Sequence, residues 1–327
     1  MRDAFEKFQS AGIELFAISY DDQQVLSEFS QKQKIPYRLL SDIDSKIIRR
    51  YGILNDQVGP EDALLEGLPY PGVYVTDENG IVIAKFFHDS YKKRDSPEML
   101  IDAALGHVLL SENEPRVTTE DPEVRISASI HGGKGTIRQG IRRQIILRCE
   151  LQGEMHMYGE PVPDGMIPTT VSISAAPGLV VEKPVYPPSN KMWIESMGLH
   201  LFVWSGTFDI VIPFYAVGEL ASETRPLDTP NSKIEITIKY QACDQTICLP
   251  PTKKTLSLEV DLDVIDVPAL GLHTGHGQRE SNFSGQAHLR RLLLRKFKKY
   301  PLGLPLFAIK TLKLELAAKW RNFRKSE

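Results

Sequence analysis

The sequence predicts a multi-domain chain: an α/β domain, an all-β sandwich and a basic helical tail. Three observations predict it. Residues 1–110 alternate helix-period and strand-like stretches. Residues 121–266 hold short alternating runs punctuated by Gly and Pro, the pattern of an antiparallel sandwich. Residues 287–327 hold 12 Lys/Arg against 2 Glu, so this stretch carries +10 while the remainder carries −13. The length of 327 residues suits two domains with an appendage. A hydrophobic content of 42% with 25% charged residues is ordinary for a globular chain and argues against a disordered one. No apolar run of about eighteen residues appears, so no membrane-spanning helix is expected.

Residues 1–9 read as a helix with Phe5 and Phe8 on one face, ended by Gly12. Ile13–Ser19 is mostly apolar, like a strand buried in a parallel sheet. Asp21 and Asp22 can cap a helix over 22–34, with Val25, Leu26 and Phe29 facing inward. Tyr37–Leu40 is a short strand. Asp42 or Asp44 then caps a helix reaching Tyr51 and Gly52. Leu68–Gly72, with two prolines, must be a loop. Val73–Asp77 and Ile81–Phe87 flank Glu78-Asn79-Gly80, a hairpin turn. Ser96 caps a last helix running to about Leu110, with Pro97 in its first turn.

Residues 111–122 are a polar linker with two prolines. Strands are then expected at 124–130, 143–151, 170–175, 204–213, 233–240 and 255–262. Alternation puts Cys149 with Ile145, Leu147 and Leu151, a core face. Met155, His156 and Met157 offer soft metal ligands, yet a loop packed on the sandwich is the simpler reading. Trp193 and Trp204 read as core or loop anchors. Residues 267–286, rich in Gly, His and Ser, read as a linker, with His273, His276 and His288 solvated. Two basic amphipathic helices follow, the first carrying Leu289, Leu292, Leu293 and Phe297 on one side. Such helices lie on anionic membranes or dock on acidic partners. No base-reading motif points to specific nucleic-acid binding.

The chemistry centres on Tyr240-Gln-Ala-Cys-Asp-Gln-Thr-Ile-Cys-Leu-Pro-Pro251, which holds Cys243 and Cys248 between two alternating strands. A disulfide there closes a short loop, where cross-linking adds little stability, but where an incoming thiolate can reach the sulfurs. A reduced pair that merely packs is the bland alternative. Metal ligation lacks a second pair or histidines at ligand spacing. No cofactor pattern is present.

These residues resemble a family. Tyr240-Gln-Ala-Cys-Asp with Cys248-Leu-Pro-Pro resembles the signature of the DsbD N-terminal domain, the immunoglobulin-like module of the thiol:disulfide interchange protein. Met155-His-Met-Tyr-Gly-Glu-Pro-Val-Pro-Asp-Gly-Met-Ile-Pro-Thr169 is similar to that family's segment near the start of the sandwich. The resemblance covers residues 121–266 and implies that Cys243 and Cys248 cycle between dithiol and disulfide with a thioredoxin-fold or other thiol-disulfide partner. It also implies a compartment outside the cytoplasm, whereas the N-terminus shows no apolar leader.

Ala11–Asp22, Leu40-Ser-Asp42, Arg50-Tyr-Gly52 and Pro71–Gly80 resemble the AhpC/TSA redoxin branch of the thioredoxin fold over residues 1–110. Pro71 falls where that fold carries a cis-proline beside its active cysteine. Yet residues 1–148 contain no cysteine, and the family's first strand and cysteine motif are missing, as expected if the start lay further upstream or if the domain were a remnant without peroxidase chemistry. The function implied is an antioxidant, redoxin-type thiol-disulfide exchange through Cys243 and Cys248. The alternative is a redox-inactive binding module stapled by that pair. Tyr20 and His88 are expected to fill ordinary polar or core-edge roles.

Overall fold

The computed structural model describes residues 1–56, 58, 67–88, 93–112, 114–119, 121–195, 198–223, 225, 230–244, 246–264 and 285–325, without the side chains of 315 and 317–325. The expected linker over 267–286, with His273 and His276, lies almost wholly outside the described residues. The chain divides into two units, Met1–Gly106 with the C-terminal helices, and His107–Ile265.

In the front unit, α1 (Phe5–Ser10) leads to β1 (Phe16–Ser19), α2 (Gln23–Gln33), β2 (Arg38–Ser41) and α3 (Lys46–Arg50). Then come β3 (Gly72–Thr76), β4 (Val82–Phe87), the short β5 (Arg94–Asp95) and α4 (Pro97–Leu105). β1 and β2 pair in parallel, and β3 and β4 pair antiparallel. The capping chemistry follows the sequence. Asp22 accepts from the Val25 amide at 2.8 Å, and Ser96 accepts from the Met99 amide. Asp42 accepts from the Ile48 amide at 2.8 Å and so holds the start of α3. Asp77 accepts from the amides of Asn79 and Ile81, fixing the β3–β4 turn. Gly106, at φ +74°, ends α4 several residues before the expected Leu110, because the left-handed conformation closes the helix. Phe8, Leu100 and Ile101 form a small core.

Three expectations need correction here. β1 is not a fully buried strand: Phe16 and Ile18 are exposed, since β1 and β2 form a two-stranded sheet with one open face. Of the three inward residues expected on α2, only Leu26 is buried. Val25 and Phe29 stay exposed. The cis X-Pro bond is Glu160–Pro161, and Tyr70–Pro71 is trans. The Tyr70 amide donates to the Ile53 carbonyl, and the chain runs on from Pro71 into β3 without a reversal.

The second unit adds β6 (Arg116–Thr118), β7 (Val124–His131), β8 (Ile141–Leu151), β9 (His156–Tyr158), β10 (Thr170–Ala175), β11 (Leu179–Val181), β12 (Asn190–Ile194) and β13 (Leu199–Ser205). β14 (Thr207–Ala216), the short α5 (Gly218–Ala221), β15 (Asn231–Tyr240), β16 (Ala242–Cys243) and β17 (Thr252–Asp261) complete it. One sheet runs β11–β14–β8–β7–β6, a second β10–β15–β17, and a third β12–β13–β9–β16. Alternate residues of the first two sheets share one core: Ile126, Ala128 and Ile130 of β7, Ile145, Leu147 and Cys149 of β8, Ile234, Ile236 and Ile238 of β15, and Leu256 and Leu258 of β17. The period of two puts these side chains on one face and defines a sandwich.

The expected single strand over 204–213 is two strands. Gly206, at φ +65°, separates β13 from β14 and passes the chain from the third sheet to the first. Trp204 is buried, stacks on Tyr186 and Phe208, and donates Nε1–H to the Pro187 carbonyl at 3.0 Å. Trp193 is not an anchor: it is exposed and meets His200 edge-on.

The C-terminal helices are α6 (Leu289–Lys299) and α7 (Gly303–Lys325). The expected apolar side of α6 is only partly covered. Leu292 and Lys296, one turn apart, are buried, while Leu289 and Phe297 are exposed.

Candidate functional site

Cys243 and Cys248 form a disulfide, with their Cα atoms 4.1 Å apart. The two positions also face each other as an antiparallel bridge, so backbone geometry brings the sulfurs together. Leu249 N–H donates to the Ala242 carbonyl at 2.8 Å and closes the base of the loop. Asp244 organises its tip. One carboxylate oxygen accepts from the Thr246 amide, the Thr246 hydroxyl and the Ile247 amide, at 2.6–2.9 Å. The Ile247 and Thr246 amides hold the Asp244 carboxyl below the usual carboxylate range. This is the local hydrogen bonding that makes Asp a turn residue.

The two sulfurs sit in different surroundings. Cys243 is 1% exposed and packs with Tyr158, Leu201 and Val203. Cys248 is exposed, beside exposed Thr246 and Ile247. An incoming group can reach Cys248, while the fold covers Cys243.

β9 supplies the rest of the site. It pairs with β16 so that Cys243 lies opposite His156, and Ala242 lies opposite Met157. Alternation therefore turns His156, Tyr158 and Cys243 to one face and sends Met157 into the main core. The Tyr158 hydroxyl points at Cys248 Sγ from 3.9 Å, a long, weak donation. Burial raises the Tyr158 phenol above its ordinary value. Burial lowers His156, against the opposing influence of the Glu154 backbone and the Asp244 carboxylate. His156–Tyr158 is thus a strand where a loop was expected at 155–157. Its alternation was readable in Met155-His156-Met157-Tyr158, but so short a run carries little signal.

Cys149 takes no part. It is 0% exposed, unbonded, and pushed up by desolvation, as the core reading expected. Among the described residues, no group of three or more His, Cys, Asp and Glu is placed to hold a metal. Pro71 precedes β3 in a unit that contains no cysteine. His88 is half-buried and bonded to Asp95 at 2.6 Å, a core-edge pair.

Residues 1–85 match the AhpC/TSA family, and residues 134–260 match the N-terminal domain of the thiol:disulfide interchange protein DsbD. The two matches fall on separate stretches of the chain. The front unit is thioredoxin-like, and the second is a DsbD N-terminal-type, immunoglobulin-like sandwich. Chloroplastic peroxiredoxin Q of Suaeda salsa is 38% identical over 104 residues, 32% of this chain and 43% of that one. The peroxiredoxin Q of Arabidopsis thaliana gives the same figures. That of Oryza sativa subsp. japonica is 41% identical over 81 residues, 25% of this chain and 34% of that one. The chain thus spans less than half the length of these relatives. Among solved structures, the N-terminal periplasmic domain of ScsB from Proteus mirabilis is similar at 14% identity and a TM-score of 0.31, over 46% of this chain and 52% of that one. The Neisseria meningitidis DsbD N-terminal domain in its reduced form follows at 14% identity and a TM-score of 0.25, over 47% and 91%.

Proposed function

We propose that this chain exchanges electrons with thiol-disulfide partner proteins through the Cys243–Cys248 disulfide, and that Cys248 is the sulfur attacked. The observation that carries this reading is the asymmetry of the pair, one cysteine exposed and the other buried. A partner thiolate forms a new bond to Cys248 Sγ. The Cys248–Cys243 bond breaks, and its electron pair stays on Cys243 Sγ. The partner's second thiol then attacks the mixed disulfide, leaving Cys243 and Cys248 as a dithiol and the partner oxidised. The reverse sequence reoxidises the pair. Asp244 keeps the loop in shape while the bond between its ends is open.

Residues 1–85 match a redoxin family but contain no sulfur nucleophile, so the front unit is given a partner-binding role only, and the chemistry is left to the Cys243–Cys248 pair. Domain limits of 1–110, 121–266 and 287–327 belong to the same proposal. The basic helices 287–327 add a docking surface for an anionic membrane.

Trapping tests the assignment. In Cys243→Ser, the remaining exposed thiol at Cys248 is expected to accumulate a mixed disulfide with an oxidised thioredoxin-type protein. In Cys248→Ser, the buried Cys243 is expected to trap far less. If neither variant traps the partner, and the wild-type disulfide survives a reduced dithiol protein, the pair is a staple and the redox-inactive reading replaces this one.

A further inference from the structure

His156 is a buried polar group without a well-formed hydrogen bond, the Glu154 backbone being its looser polar contact. It is 1% exposed, and among the described residues neither Nδ1 nor Nε2 has a hydrogen-bond partner. Burying such a group is costly, and a site that tolerates the cost calls for an explanation. The ring stands directly across the β9–β16 ladder from Cys243, the shielded sulfur. Tyr158 meets it edge-on, with ring centroids 5.3 Å apart. Burial is the largest influence on its charge and disfavours the protonated ring, while the Glu154 backbone and the Asp244 carboxylate favour it. The disulfide itself brings no charge. The imidazole thus shares a rung of the ladder with a cysteine whose sulfur is neutral when bonded and becomes an anion when released.

We infer that His156 serves the leaving sulfur: it stands ready to donate a hydrogen bond to Cys243 when the disulfide opens. This rests on the redox reading above. Attack at Cys248 forms one S–S bond, breaks another and leaves a thiolate at Cys243 Sγ. The neutral imidazole keeps its N–H and donates a hydrogen bond from it to that thiolate. The adjacent negative charge then draws a proton from water onto the other ring nitrogen, so the pair becomes thiolate and imidazolium. Closing the disulfide returns the proton to water. A donor waiting for the thiolate stabilises the open form and accelerates its formation, because hydrogen bonds to an ionised group are the stronger kind.

Two measurements on the full chain test this. The first is the proton titration of the His156 ring by NMR, with its resonances assigned by comparison with His156→Gln. In the dithiothreitol-reduced chain the ring is expected to titrate at a pH higher by about 1–3 than in the oxidised chain, the effect of a nearby opposite charge. The second is the rate at which dithiothreitol opens the disulfide. His156→Phe, which fills the space without a donor, is expected to slow opening about tenfold at neutral pH, with His156→Gln between it and wild type. A ring that titrates identically in both states, or a His156→Phe variant opened at the wild-type rate, overturns the inference and leaves the redox reading intact. Should His156→Phe fail to fold, the wild-type titration decides alone. A wild-type disulfide that resists the thiol altogether overturns both.

Discussion

Asp244 shows how one side chain can prepare a reactive loop. Its carboxylate gathers two amides and a hydroxyl into one turn, and does so only when ionised. Asp244→Ala should loosen the loop and make the disulfide open several-fold faster toward a small thiol, as followed by the rate of thiol release. Because the folded state holds this carboxyl low, its stabilisation is complete above the ordinary carboxylate value of 3.8 and fades as pH falls through the lower, folded value. His156 acts on stability in the same direction at higher pH. Burial disfavours its charged form, so the unfolded chain takes the proton first. Stability is expected to be highest above pH 6.5, the ring's ordinary value, and to decline below it. His156→Phe should remove that part of the pH dependence, as measured by denaturant midpoints across the range. Cys149 makes a simpler case. It is the free cysteine of the chain and is wholly buried, so a thiol reagent should find no reactive sulfur in the oxidised native protein and a single one after unfolding.

At the scale of elements, Gly206 decides which sheet the chain joins. Its positive φ turns β13 into β14, and a β-carbon there would be strained even though the surroundings leave room. Gly206→Ala is therefore expected to cost about 1–2 kcal/mol of stability in denaturant melts, with the disulfide still formed. The same element shows what the sequence conveys. Asp22, Ser96, Asp77 and Gly80 announce caps and turns through local hydrogen bonding, and the structure places them accordingly. The long alternations of β8, β15 and β17 announce a buried face, since ten or eleven residues repeat the signal many times. β9 and β16 are only three and two residues long, and neither repeats the alternation often enough to announce a strand. What makes them strands is their pairing with each other and with β13, a non-local fact. The cysteines were therefore legible as a pair and as a possible bridge. The placement of His156 and Tyr158 beside them, and the contrast between a covered and an open sulfur, came only from three-dimensional pairing.

For the whole molecule, charge distribution gives the clearest expectation. Residues 287–327 carry 12 basic side chains against 2 acidic ones, on a chain whose other residues sum to a strong negative charge. α6 sets Arg290, Arg291, Lys298 and Lys299 among exposed Leu294 and Phe297, and α7 continues with exposed Leu306, Phe307 and Ile309. Among the described residues, no helix is long and apolar enough to cross a membrane. A basic helix pair with exposed leucines and phenylalanines suits the interface of an anionic bilayer, where cations meet lipid headgroups and apolar side chains enter the acyl boundary. The full chain should therefore sediment with vesicles containing phosphatidylserine and remain in solution with phosphatidylcholine vesicles alone. Raising the salt from about 0.1 M to 1 M shortens the screening length from about 10 Å to about 3 Å, and should release most of the bound protein. Reversing Lys298 and Lys299 to Glu should weaken binding at low salt, whereas Phe297→Ser should weaken it at every salt concentration. Binding unaffected by salt and by charge reversal would show that these helices attach by some other means.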